Sequence, residues 1–126
     1  MKLRPPRSTQ SRSSAASDVY KRQLLCISLS GAGEVIACRV VTIGLVDRTQ
    51  VHPREVFADP IIDRASAVII AHNHPMGPLE PSSEDREITR RIRDAGNTLG
   101  IVLLDHIIFS KKGYYSFMEH DEMIGL

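Results

Sequence analysis

The chain has 126 residues, 42% hydrophobic and 25% charged, with a formal net charge of +1. That composition suits one soluble globular domain around a single core. It excludes a spanning helix, because no apolar run approaches the roughly 20 residues that a bilayer requires. No secretory signal pattern is visible, so a cytoplasmic location is expected. Cys26 and Cys38 make neither a disulfide framework nor a CxxC pair, and both are expected as buried, reduced thiols.

The charge is unevenly placed. Residues 1–23 hold six Lys/Arg and one Asp, whereas residues 24–126 hold ten Lys/Arg and fourteen Asp/Glu, a net −4. The first segment is rich in Ser, Arg and Pro, a composition that favours disorder. Ser13–Gln23 can be back-translated into a string that resembles a transposon-end sequencing adapter, and Arg4–Thr9 resembles the outer end of the same adapter. Residues 1–23 are therefore expected to be a non-native, disordered segment on a truncated domain spanning 24–126. The other reading of this segment is a natural basic tail that binds nucleic acid.

Leu24–Ser30 reads as a strand, Gly31–Gly33 as a turn and Glu34–Gly44 as a second strand, together a β-hairpin. A turn centred on Ala32 would set Cys26 opposite Cys38, and a chain entering at Leu24 would leave a sheet edge unpaired. Residues 51–66 look helical, with Pro53 at the first helical position and Val56, Phe57, Ile61 and Ala65 on one face. Pro60 is expected to kink or split that helix. The apolar run 67–74 reads as a buried central strand. After a Pro/Gly loop, a helix starts at Ser82 and runs to about Ala95. Ile88, Ile92, Ala95 and Leu99 lie at helical spacing, and Gly96 serves as the stop. Residues 100–110 and 114–117 read as two closing strands. The order β-β-α-β-α-β-β predicts an α/β sheet with helices packed on it.

The stretch AHNHPMGPLEPSSED, residues 71–85, carries the chemistry. On a strand, residues i and i+2 share a face, so His72 and His74 project together from its end. The following loop brings in Asp85 on the first turn of the next helix. Two imidazoles and a carboxylate suit a divalent metal with a fourth position open to water, as in catalytic zinc sites. A structural reading stands beside this one. Two histidines can simply close a strand, and Ser82-x-x-Asp85 is also a helix-capping pattern.

His72-x-His74, seven residues, then Ser82-x-x-Asp85 resembles the H-x-H-x7-S-x-x-D core of the JAMM/MPN-type metalloproteases. VHPREVF (51–57), AHNHP (71–75), PSSED (81–85) and LLDHIIFS (103–110) resemble its bacterial RadC-like branch across all of 24–126. Asn73 stands where the eukaryotic deubiquitinase members carry Ser or Thr, and it fits the RadC-like branch. The resemblance implies an MPN/JAB-type mixed β-sheet flanked by helices, acting as a zinc-dependent hydrolase of a peptide or isopeptide bond. It implies one Zn2+ per chain held by His72, His74 and Asp85, with Ser82 donating to the oxyanion. It also implies a general-base glutamate ahead of the first strand, which falls at or beside Arg22. Arginine stays protonated and cannot take that role. The site is thus expected to bind metal but to be catalytically impaired.

Glu34 at the hairpin turn is expected as a solvated charge. Glu55 is expected to meet the helix dipole rather than the metal. Asp105-His106 is expected to support the site rather than ligate. Arg86, Arg90, Arg91 and Arg93, interleaved with Glu84, Glu87 and Asp94, are expected as an ion-paired solvent face. The competing function is DNA repair or recombination, the traditional label of RadC-like proteins, served by a non-catalytic, metal-stabilised binding module. The −4 charge of residues 24–126 opposes direct nucleic-acid binding. Expected partners are a protein or peptide substrate and no membrane; the sequence leaves the oligomeric state open.

Overall fold

A computed structural model describes residues 22–43, 51–75 and 77–123. The expectation of a foreign segment over 1–23 lies outside the described residues, apart from Arg22 and Gln23. Seven elements follow in order: β1 Gln23–Leu29, β2 Val35–Ile43, α1 Pro53–Ile62, β3 Ala67–Asn73, α2 Ser83–Leu99, β4 Val102–Ser110 and β5 Gly113–Ser116. This is the element order read from the sequence. The strands form one mixed sheet in the order β2-β1-β3-β4-β5, with β3 in the middle. β3 is antiparallel to β1 and parallel to β4, and α2 makes the crossover of that parallel pair. No helix among the described residues is long and apolar enough to cross a membrane.

β1 is not an edge strand, because it pairs with both β2 and β3. The hairpin register also differs from the symmetric expectation. Leu29 faces Val35 while Ser28 faces Ala37, so Ile36 is an extra residue on β2. This bulge sets Cys38 opposite Ile27 and Cys26 opposite Arg39. Cys26 is in the core and Cys38 is exposed, so only one thiol is buried as expected. Burial pushes the Cys26 thiol up to about 12. A thiol reagent added to the native chain is therefore expected to titrate Cys38 quickly and Cys26 only on unfolding. Two fast thiols would contradict this register.

Pro53 starts α1 as expected, and Pro60 does not split it. Pro60 falls in the last turn, where a missing N–H costs a single helical bond, and its ring is buried beside Val56 and Phe57. α2 runs past Ala95 to Leu99, and its left-handed cap is Gly100, at φ 78°, rather than Gly96. Gly96 is instead a packing residue. A Cβ there would meet the Ile101 carbonyl oxygen at 2.3 Å and the Phe57 ring at 3.0 Å. Because backbone cannot give way cheaply, Gly96→Ala is expected to destabilise the fold by ~1–3 kcal/mol, read as a lower urea midpoint.

Leu24, Cys26, Val68, Ile70 and Leu103 share one sheet face and pack against Val56 and Phe57 of α1 and Ile88 and Ile92 of α2. Each large side chain fully buried there contributes ~1.5–3 kcal/mol. Both helices thus cover the same face. The pleat sends Leu25, Ile27, Ile69 and Ile107 to the other face, where they are half-buried. The helix-covered face continues from Val68 and Ile70 to His72, and the site grows out of the core at that point.

Candidate metal centre

His72 ends the buried run of β3. His74 lies just past the strand, and its N–H still donates to the Phe109 carbonyl of β4 at 2.9 Å. Both rings stand at the carboxyl end of β3, where α2 begins. The capping pattern and the metal pattern are both realised. The Ser82 hydroxyl accepts from the Asp85 N–H at 3.1 Å, and Asp85 Oδ2 accepts from the Ser82 N–H at 2.7 Å. That capping box holds the Asp85 carboxylate against the two rings. Asp85 Oδ1 is 3.2 Å from His72 Nε2, and Oδ2 is 3.4 Å from His74 Nε2. One ligand atom from each of His72, His74 and Asp85 lies within 4.8 Å of the others, and all three residues are buried.

The donor chemistry fits a cation. His74 Nδ1 lies 2.7 Å from the Pro78 carbonyl, which only accepts, so the ring proton is on Nδ1. Its Nε2 then faces Asp85. His72 Nε2 is buried with no hydrogen-bond partner, a costly state for a polar atom unless something else occupies it.

Behind His72 lies a buried polar layer. His106 Nε2 is 2.9 Å from His72 Nδ1, and His106 Nδ1 is 2.5 Å from the Thr89 hydroxyl. Burial pushes His106 down to about 3, and its ring stacks on Phe117. Asp105 points elsewhere. Its carboxylate accepts from the Ser116 hydroxyl at 2.5 Å and from the Met118 and His106 N–H groups, which ties down the turn after β5.

The antiparallel register of β1 on β3 sets Leu24 opposite His72. The Gln23 N–H donates to the Asn73 side chain at 2.6 Å, and the exposed Arg22 stands just ahead of β1. Glu34 is exposed at the hairpin turn. Glu55 is exposed, lies beside Arg54, and lines a cavity with Cys26, Ser28 and Arg39, apart from the metal cluster. The arginine stripe is ion-paired as expected: Arg86 with Glu122, Arg90 with Glu87 and Arg93 with Asp94. Arg86 also donates to the Pro81 carbonyl, bracing the loop that carries Ser82.

Sequence reasoning missed Thr89 and Pro78. Thr89 had a signal, since it lies four residues after Asp85 on the buried stripe of α2 and is fully buried. The Pro78 carbonyl had none, because any residue supplies a carbonyl.

A mixed sheet with a buried His-His-Asp cluster at the carboxyl end of its central strand defines an α/β domain whose cluster could hold a metal ion. The profile of the RadC-like JAB domain family matches residues 7–123, and the chain belongs to that family. Among curated relatives, a UPF0758 protein of Methanospirillum hungatei is 55% identical over 91 residues, 72% of this chain and 40% of the relative. One from Thermotoga maritima is 49% identical over 89 residues, 71% of this chain and 40% of the relative. One from Chlorobium phaeovibrioides is 37% identical over 133 residues, 97% of this chain and 60% of the relative. The chain thus spans 40–60% of the length of these relatives.

Proposed function

We propose that this chain is a zinc-dependent metallopeptidase-like hydrolase domain for a peptide or isopeptide bond, impaired because the general-base glutamate expected at or beside Arg22 is missing. The reading is carried by the convergence of His72, His74 and Asp85 around a buried His72 Nε2 that has no hydrogen-bond partner. Two imidazoles and one carboxylate in a buried site favour zinc among the common divalent ions. Zinc held there would supply an activated water and polarise a scissile carbonyl. The Ser82 hydroxyl accepts from the Asp85 N–H and also stands by the Asp85 carboxylate, so it would turn its one proton from that carboxylate to a developing oxyanion. Capping and oxyanion stabilisation are therefore compatible in one side chain. A proton acceptor is still needed beside the site, and an arginine at position 22 cannot serve.

The test is turnover of peptide and isopeptide substrates by the zinc-loaded chain. The expected result is metal binding with little or no cleavage; fast, metal-dependent cleavage would sink the impaired reading. Arg22 also favours a second reading, a metal-stabilised binding module that recognises a peptide without cutting it. Peptide binding that persists in zinc-loaded protein without any product would support that one.

A further inference from the structure

We propose that Thr89 and His106 form an ordered hydrogen-bond relay that fixes His72 as its Nδ1–H tautomer and turns the Nε2 lone pair toward the metal. This rests on reading His72, His74 and Asp85 as a metal site. The direction of each bond follows from counting hydrogens. The Thr89 hydroxyl is 2.7 Å from the Asp85 backbone carbonyl, which can only accept, so its single hydrogen is spent there. The 2.5 Å contact between Thr89 Oγ1 and His106 Nδ1 must then be carried by a ring proton on Nδ1. A cationic imidazole sealed from solvent against a second histidine and a phenylalanine ring is costly, so His106 is neutral and its Nε2 carries a lone pair. His72 Nδ1 therefore donates in the 2.9 Å contact. With its one ring proton on Nδ1, a neutral His72 has its lone pair on Nε2, which faces Asp85 Oδ1 at 3.2 Å. Two acceptors at that separation are satisfied by a cation between them.

The relay starts from α2 and reaches the site because β4 is bulged. Val68 faces Leu103 while Ile69 faces Asp105, so Leu104 is an extra residue. Strict alternation from Leu103 would send His106 to the opposite face. The bulge returns it to the face of Ile70 and His72, the kind of local re-aiming that bulges provide beside functional sites. The Asp85 backbone carbonyl closes the circuit, so the helix that supplies the carboxylate ligand also sets the tautomer of a histidine ligand. Thr89 and His106 are positioning residues: they touch a ligand or its partner rather than the metal.

The relay is tested on the full chain in its metal-free form, at about pH 8, above the ordinary imidazole range. Long-range nitrogen–proton NMR correlations are expected to show His72 and His106 both protonated at Nδ1 only. A proton on His72 Nε2 would overturn the relay. Zinc affinity, read by chelator competition, is expected to fall ~10–100-fold in Thr89→Val and to stay near wild type in Thr89→Ser, which keeps the hydroxyl. Unchanged affinity and tautomer in a folded Thr89→Val chain would also overturn it. A folded wild-type chain with His72 protonated at Nδ1 but no zinc binding would support the relay and sink the metal-site reading. Zinc bound by a chain whose metal-free form carries the proton on His72 Nε2 would sink the relay alone.

Discussion

Asp85→Ala is expected to abolish zinc binding and to lower the stability of the metal-free chain, because one carboxylate serves both the cluster and the helix cap. Its two oxygens face the two histidines, and Oδ2 also accepts from the Ser82 N–H. Loss of a capping interaction costs ~1 kcal/mol. Zinc at about a hundred times its dissociation constant adds ~2.7 kcal/mol to a folded chain that binds it. For a domain of this size that is roughly a 10 °C rise in melting temperature. The wild-type chain should show that rise and Asp85→Ala none. Ser82→Ala separates the two roles, since it removes the capping hydroxyl and leaves the ligands. It should melt lower than wild type without metal and keep the zinc-induced rise. If zinc raises the melting temperature of Asp85→Ala as much as that of wild type, Asp85 is a cap and not a ligand.

The second large effect is a gain. Arg22→Glu puts a carboxylate two residues before Leu24, the residue that pairs with His72. A positioned general base contributes about 10²–10⁴-fold. Metal-dependent peptide cleavage is expected to rise by that order in the zinc-loaded variant and to disappear when Asp85→Ala is added. A folded, zinc-loaded Arg22→Glu chain with no more activity than wild type would remove the arginine as the cause of impairment.

The parts of this site legible in the sequence were those set by local periodicity. The unbroken apolar run of residues 67–71 announced a central strand, and the period of two then put His72 and His74 on one face. Ser82-x-x-Asp85 supported two readings, a helix cap and the part of a metal-site motif that carries Asp85; the fold realises the cap, and the cap fixes the Asp85 carboxylate against the two histidines. The illegible parts depend on contacts between distant segments. Two bulges, at Ile36 and Leu104, each reverse the facing of the residues beyond them. Neither is marked by Gly or Pro, so strict alternation paired the cysteines wrongly and could not bring His106 behind His72. Gly96 was mistaken for a helix stop because glycine serves equally for a left-handed cap and for close approach of backbone, here that of Ile101. Pro60 was weighed by its missing donor alone, whereas its position in the last turn of α1 and its buried ring decide the outcome.

The most direct test of the account is the metal content of the purified wild-type chain, measured by elemental analysis after zinc loading and gel filtration, beside His72→Ala and Asp85→Ala. The account predicts about one zinc per folded wild-type chain, the stoichiometry of a three-ligand site with one open position, and none in either variant. A folded wild-type chain that retains no zinc, or variants that retain as much as wild type, would contradict it.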